Sequence, residues 1–260
     1  MTTAPGKTTV PILVYGALGR MGSRVIDLAT KTPGFEVVGG VDSRAGAAVQ
    51  DPRVNVHERV PSDLPEGTVV IDFSLAGAVG PLVEAIAPLG RALVSGTTGL
   101  GEKEVDTLRA YSEVAPVLYD TNMSYGISVM KEILGVAARL LKDGTETEIV
   151  EFHHSGKRDY PSGTAFALAA VIDPDAAVVA GREADSSGSK AAIPVHSGRV
   201  GGLPGEHRVV FASDEEMITI EHRAITRDVF ARGALRAARF VSAQPSGFYS
   251  MKDLLEAQNE

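Results

Sequence analysis

Short apolar runs alternate with segments of helical periodicity over the first half of the chain. The apolar runs predict five strands, at residues 12–15, 36–41, 69–73, 92–95 and 116–119. The intervening segments predict four helices, at residues 20–30, 76–88, 102–112 and 126–141. Strands that are apolar throughout are typical of parallel sheets whose two faces are covered by helices. The pattern therefore predicts a doubly wound α/β domain.

The second half of the chain has a different pattern. It predicts strands at residues 146–152, 208–212 and 217–222, and helices at 162–171 and 226–242. Residues 174–205 lack a clear period and include the Gly-, Ser- and Asp-rich piece 185–189, so we expect a long loop there. These elements indicate a second, α+β domain with an open sheet. The last helix and the tail are expected to return to the first domain.

Composition and charge exclude several classes of function. A chain of 260 residues has room for one to two domains. Its net charge of -8 argues against a nucleic-acid partner, because phosphate contacts need a basic face. The absence of Cys excludes disulfides, thiolate metal sites and a Cys nucleophile. No apolar run approaches the ~18 residues of a membrane span, so we expect a soluble, cytoplasmic protein without a membrane partner.

A glycine-rich segment, G-A-L-G-R-M-G at residues 16–22, lies between the first predicted strand and the first predicted helix. Such a turn brings backbone amides and a helix N-terminus close to a dinucleotide pyrophosphate. Asp42 follows the second strand and suits the ribose hydroxyls of NAD, whereas Arg44 suits the 2′-phosphate of NADP. The segment predicts a Rossmann-like cofactor site. The alternative is a tight strand-to-helix turn without a ligand.

Two further loops follow the fourth and fifth predicted strands. They read S-G-T-T-G at residues 95–99 and T-N-M-S at residues 121–124. Loops at the carboxyl edge of a parallel sheet line the cofactor crevice in such folds. Their small and hydroxyl side chains suit a nicotinamide and its ribose, although each loop on its own could be an ordinary turn.

The segment E-F-H-H-S-G-K-R-D-Y-P-S-G-T-A, residues 151–165, concentrates ionisable side chains before a helix start. A histidine can transfer a proton near neutral pH, and a helix N-terminus beside a lysine can hold a carboxylate. The segment thus indicates proton transfer on an anionic substrate. A solvated charged loop before a capped helix is the alternative. Adjacent histidines do not readily share one metal-ligand geometry, so no metal site is predicted.

The same segment closely resembles the signature of the 4-hydroxy-tetrahydrodipicolinate reductase (dihydrodipicolinate reductase) family of lysine and diaminopimelate biosynthesis. The glycine segment, S-G-T-T-G, G-R-V-G-G-L-P-G-E-H (198–207) and E-H-R-A-I-T-R-D-V-F-A-R-G-A (221–234) are similar to other blocks of that family, in the same order. The resemblance covers nearly the whole chain. It implies NADH- or NADPH-dependent reduction of a small anionic cyclic imine, 4-hydroxy-tetrahydrodipicolinate, to tetrahydrodipicolinate by a homotetramer.

The resemblance also implies domains and residue roles. It implies a dinucleotide-binding domain at 1–124 and 234–260, and a substrate-binding and tetramerisation domain at 125–233. His153 would be the general acid/base and Lys157 the proton donor. The substrate carboxylate would bind to His154, Gly163 and Thr164. The cofactor would bind to Gly16, Ala17, Leu18, Gly19, Arg20, Met21, Asp42, Gly96, Thr97, Thr98, Asn122 and Met123.

Two other functions compete with this reductase. Another nicotinamide-dependent amino-acid dehydrogenase would share the glycine segment, but it has no reason to keep both histidines, the lysine and P-S-G-T together. A cofactor-sensing module without catalysis would tolerate the loss of His153 or Lys157, and both are present. The resemblance therefore favours the reductase.

Overall fold

The computed structural model describes residues 9–46, 51–141, 144–181 and 192–258. Its strands are β1 Val10–Tyr15, β2 Phe35–Val41, β3 Val56–His57, β4 Val69–Asp72, β5 Ala92–Ser95, β6 Pro116–Tyr119, β7 Glu146–His153, β8 Ala177–Ala180, β9 Ala192–Arg199, β10 Gly205–Ala212, β11 Met217–Ala224 and β12 Gly247–Tyr249. Its α-helices are α1 Arg20–Ala29, α2 Val79–Ile86, α3 Glu102–Ser112, α4 Tyr125–Leu141, α5 Gly163–Ile172, α6 Asp228–Val241 and α7 Met251–Glu256. Two short 3-10 helices, Ala76–Ala78 and Ala87–Leu89, flank α2.

Seven parallel strands form the first sheet, in the order β12-β6-β5-β4-β1-β2-β3. Its central strands are largely buried, and the Val69–Asp72 strand is buried at every position. Helices α2 and α3 pack on one face through Leu82, Ile86 and Leu108, and α6 contacts β4, β5 and β6. The doubly wound, Rossmann-like α/β fold predicted from the alternation of apolar runs and helices is therefore confirmed.

The second sheet has five strands in the order β11-β10-β7-β9-β8. β10 is antiparallel to β7 and β11, whereas β9 is parallel to β7 and β8. Helices α4 and α5 cover one face, where Ile127, Leu134 and Leu168 pack against strand residues such as Ile149 and Val209. The second, α+β domain with an open sheet, predicted from the second half of the chain, is therefore present, and its sheet is mixed.

The prediction of a loop over residues 174–205 is wrong for the described part of that stretch. It contains β8 and β9, and β9 pairs directly with the central strand β7. The apolar runs A-V-V-A and A-I-P-V are only four residues long. Pro194 lies inside the second run, and Gly198 interrupts the alternation after it. Pairing with strands that are distant in sequence supplies the stability that local propensity lacks. The Gly- and Ser-rich piece 185–189 lies outside the described residues.

The chain divides into two compact units. The first contains residues up to Ser124 together with residues from Asp228 onward, and the second is Tyr125–Arg227. The sequence-based return point at residue 234 falls inside α6, which belongs as a whole to the first unit. Among the described residues, no helix is both long and apolar enough to cross a membrane.

Helix α6 passes close to the loop that follows β6. A Cβ atom on Gly233 would overlap the carbonyl oxygen of Met123, so this position requires glycine. Gly80 in α2 belongs to the same unit, and a Cβ there would meet nothing within 4 Å. The close approach of α6 thus fixes the position of the Met123 loop.

We expect Gly233→Ala to lower the free energy of unfolding by about 3 kcal/mol or more, because the added methyl group must displace backbone. The matched control, Gly80→Ala, should raise it by about 0.5–1 kcal/mol through helix propensity alone. Denaturant titration of both variants measures the two changes. Equal stabilities of the two variants would contradict the close approach of Gly233 to the Met123 carbonyl.

Candidate active site

The predicted cofactor residues lie at the carboxyl edge of the parallel sheet, within the first unit. The glycine loop turns directly after β1, where the amide of Gly16 donates to the carbonyl of Val41 at 2.8 Å. The loop after β5 is attached to β4 in the same way, because the amide of Gly96 donates to the carbonyl of Asp72 at 2.9 Å. The side chain of Met123 is buried close to Gly96. The structure therefore brings the three predicted cofactor loops together at one edge.

The glycine loop has the conformation that a pyrophosphate site needs. Gly16 has φ +79°, in the left-handed region, and its missing side chain leaves room for the backbone of Phe73. The N-cap of α1 is Gly19, no side chain caps this helix end, and its first turn contains no acidic residue. Amides and a helix dipole are thus available to an anion. Arg20 is exposed and Met21 half-buried at this helix start.

Asp42 is held between the glycine loop and Arg44. Its carboxylate accepts a hydrogen bond from the amide of Leu18 at 3.0 Å, and two from the Arg44 guanidinium at 2.9 and 3.0 Å. The bonds from Arg44 and Leu18 hold the pKa of Asp42 below its usual value, despite the opposing effect of partial burial. The Arg44 side chain is 61% exposed, so it can turn away from the carboxylate towards a ligand.

Asp72 organises the neighbouring loop and was not identified from the sequence. Its fully buried carboxylate accepts hydrogen bonds from the hydroxyls of Ser95 and Thr97, both at 2.8 Å, and from the amide of Ser74 at 3.0 Å. Burial raises the pKa of Asp72 while these bonds oppose the rise. The network orients Thr97 inward, whereas Thr98 is exposed and Asn122 is half-buried.

The predicted proton-transfer residues lie in the second unit, at the end of β7 and in the turn that follows. His153 is buried with 6% exposure, and its Nδ1 atom has no hydrogen-bond partner among the described atoms. Burial, and repulsion from His207, Lys157 and Arg199, lower the pKa of His153 to about 4, although the carboxylate of Glu151 opposes this. His153 is therefore neutral at pH 7 in this environment.

Lys157 lies in a turn that Arg199 anchors. The Lys157 ammonium pairs with the Asp159 carboxylate at 2.9 Å. The Arg199 guanidinium donates to three backbone carbonyls, those of Lys157, Gly198 and Asp159, at 3.2, 2.7 and 2.6 Å. The turn is thereby held against the end of β9. His154 is half-buried in it, and its carbonyl accepts from the amide of Lys157 at 3.0 Å.

Helix α5 begins as the sequence predicts. Ser162 is its N-cap, and its hydroxyl accepts from the amide of Ala165 at 3.2 Å. Gly163 is exposed at the first helical position, and the Thr164 side chain beside it is buried. A small residue at this exposed helix start leaves its amides accessible to a carboxylate.

Four further polar residues of this site were missed in the sequence: Glu151, Ser197, Arg199 and His207. Glu151, His153 and His207 bring one ligand atom each to within 4.8 Å of the others, which is close enough for a shared metal ion. However, Glu151 already accepts hydrogen bonds from Ser162 and Ser197. The absence of a resident metal stays a prediction. The period-two alternation of a strand, which places Glu151 on the same face as His153, was the signal that could have identified it.

Comparisons with known proteins agree with the resemblance in the sequence. The family model described as "Dihydrodipicolinate reductase, N-terminus" matches residues 10–123, and that described as "Dihydrodipicolinate reductase, C-terminus" matches residues 126–255. The 4-hydroxy-tetrahydrodipicolinate reductase of Caldanaerobacter subterraneus subsp. tengcongensis is 39% identical over 252 residues, covering 95% of this chain and 98% of the relative. The enzyme of the same name from Aquifex aeolicus is 37% identical over 263 residues, covering 95% and 99%.

A solved structure shares the fold. The dipicolinate-bound dihydrodipicolinate reductase from Paenisporosarcina sp. TG-14 superposes with a TM-score of 0.76 at 22% identity, covering 95% of this chain and 99% of the other. Two family models that together span most of the chain, and relatives well above 30% identity over nearly their full length, identify the family. The chain belongs to the dihydrodipicolinate reductase family of oxidoreductases.

Proposed function

We propose that this protein reduces 4-hydroxy-tetrahydrodipicolinate to tetrahydrodipicolinate with NADH or NADPH, in the biosynthesis of lysine and diaminopimelate. The names of its full-length relatives support this reaction. The observation that carries it in the structure is the cluster of His153, Lys157 and the α5 N-terminus at one end of the second sheet. A cytoplasmic location is part of the proposal, because nicotinamide cofactors are supplied there.

The first unit has the residues to hold the cofactor. Amides of the glycine loop and of the α1 N-terminus would hold the pyrophosphate, Asp42 the ribose, and Thr97 with its neighbours Gly96 and Thr98 the nicotinamide side. Asn122 and Met123 belong to the adjoining loop. A reduced nicotinamide bound there supplies a hydride. The glycine loop fits this ligand because no side chain makes a capping hydrogen bond at the N-terminus of α1.

The second unit has the residues to hold a dicarboxylate and to supply a proton. His154 and the α5 start at Gly163 and Thr164 would bind one carboxylate. Loss of the 4-hydroxyl group as water would leave a conjugated, unsaturated imine. Addition of a hydride to this conjugated system puts negative charge on the ring, which His153 or Lys157 would neutralise by donating a proton. The negative charges of the substrate raise the pKa of a nearby imidazole, so binding would favour the protonated form of His153 that burial disfavours.

We expect His153→Ala and Lys157→Ala each to lower kcat by roughly 10²-fold or more, about 3 kcal/mol of transition-state stabilisation. Cofactor affinity should change little, because the glycine loop belongs to the other unit. The double variant should lose less than the sum of the two single losses if both residues serve one proton path. Steady-state kinetics and cofactor titration measure these effects. A His153→Ala enzyme with near-wild-type kcat, or without cofactor binding, would refute the assignment.

We expect the enzyme to use NADH and NADPH with a preference below about tenfold, ~1.4 kcal/mol. Asp42 suits ribose hydroxyls, and Arg44 can leave its carboxylate for a 2′-phosphate. Arg44→Ala should therefore raise KM for NADPH several-fold more than KM for NADH. Kinetics with both cofactors test this; a preference of several hundredfold in the wild type would contradict it.

The protein is further proposed to be a homotetramer assembled through the second sheet. Its outer strand β11 leaves Met217 66% and Ile218 42% exposed, and an uncovered strand edge is an available surface for pairing. We expect light scattering to give about four times the chain mass of 27.2 kDa. A monomer mass at assay concentrations would contradict the proposal.

A further inference from the structure

A row of polar side chains crosses the helix-covered face of the second sheet. The row consists of registered neighbours: Ser197 on β9, Glu151 on β7, His207 on β10 and His222 on β11. The adjacent row along the strands is apolar, and it consists of Val195, Ile149, Val209 and Ile220. The core of this unit therefore changes from apolar to polar within one strand repeat, at the point where α5 begins.

Glu151 connects this row to α5. Its fully buried carboxylate accepts hydrogen bonds from the Ser162 amide at 3.0 Å, from the Ser162 hydroxyl, and from the Ser197 hydroxyl at 2.8 Å. Burial favours the neutral acid, but hydrogen bonds from His207, Ser162 and Ser197 and the proximity of His153 hold the pKa of Glu151 at about 2. The group is thus an anion in the interior, and the helix start depends on it.

His207 connects the same carboxylate to His153. One carboxylate oxygen of Glu151 lies 3.5 Å from His207 Nε2 and 3.8 Å from His153 Nδ1. The two imidazoles meet edge to face, with centroids 5.0 Å apart and planes at 74°. Gly205 leaves the space for this arrangement, because a Cβ atom there would lie 3.1 Å from His153 Nε2.

We propose that Glu151 and His207 are positioning residues of the active site: Glu151 fixes the N-terminus of α5, and His207 fixes the plane of the His153 ring. This inference rests on the proposed role of His153 as the proton-transfer group. Neither residue needs to contact the substrate. Both act through neighbours that would contact it, so their removal should disturb proton transfer and carboxylate binding while leaving the cofactor site intact.

The charges around His153 determine the direction of the expected effects. The ionisable groups that face it come from β7, the following turn, β9 and β10, and they are Glu151, Lys157, Asp159, Arg199 and His207. The carboxylate of Glu151 raises the pKa of His153, and His207 lowers it. Removal of the Glu151 charge should therefore lower the pKa of His153, and removal of His207 should raise it.

The first variant is Glu151→Gln, which keeps the shape of the side chain and removes its charge. We expect kcat/KM to fall about 10–100-fold, with cofactor affinity unchanged, and the loss of activity at high pH to begin at least half a pH unit lower. The matched control is Glu148→Gln: Glu148 also lies on β7 and pairs with a histidine, His196, at 3.0 Å, but on the opposite face of the strand. Its kcat/KM and pH profile should equal those of the wild type.

The second variant is His207→Gln. It tests the inference separately, so that the result does not depend on the folding of Glu151→Gln. We expect its kcat/KM to fall about tenfold or more. The loss of activity at high pH should begin at a higher pH than in the wild type. Titration of ¹⁵N-histidine-labelled protein by NMR follows His153 without turnover, with His153→Ala identifying the resonance. Circular dichroism verifies that each variant is folded.

Any of the following outcomes would overturn the inference: wild-type pH profiles in both variants, shifts of the His153 pKa in the same direction in both, or the same losses in Glu148→Gln. Loss of wild-type activity on EDTA dialysis that zinc restores would also overturn it, because Glu151, His153 and His207 would then be metal ligands. A wild-type enzyme that does not reduce the imine would refute the proposed function instead, while the NMR titration would still report on the positioning of His153.

Discussion

The buried carboxylate of Glu151 determines where helix α5 begins in the second unit. Glu151 has no exposed surface, and an isolated anion in such a place would be very unfavourable. The backbone and hydroxyl of Ser162 and the hydroxyl of Ser197 make it tolerable. The same bonds tie the start of α5 to the middle strand of the sheet. The burial of this charge and the location of the α5 N-terminus are therefore a single structural requirement.

In the first unit, Asp72 is likewise a buried acidic residue that neighbouring hydrogen bonds stabilise. Its carboxylate is also fully buried, and it accepts hydrogen bonds from a hydroxyl at the end of β5 and from a hydroxyl and an amide in the loops that follow β5 and β4. Parallel strands end at one edge, so loops that are remote in sequence meet there and a short acidic side chain can join them. In both units, a buried carboxylate orders the small polar residues that are expected to touch ligands. Rigid support of this kind is what positions a site to within fractions of an ångström.

Much of the fold could be predicted because its signals are local. Continuous apolar strands, the glycine turn and the S-G-T start of α5 each depend on a few adjacent residues, and the bounds of β5, α3 and β6 agree with the predicted ranges. The loop predicted over residues 174–205 failed where the signal is not local. β8 is short, and Pro194 and Gly198 interrupt the pattern of β9. They become strands because β9 pairs with β7 and β8 pairs with β9.

The sequence by itself determined the family, the order of elements and the motif that contains His153, His154 and Lys157. Only the tertiary structure brought Ser197 and His207 to either side of Glu151, across strands that are some fifty residues apart in the chain. Register between strands is set by packing of the whole sheet face, because a shift of one residue would move each side chain to the opposite face. For that reason a linear motif can identify the predicted proton-transfer groups, but the residues packed around them emerge only when the strands pair.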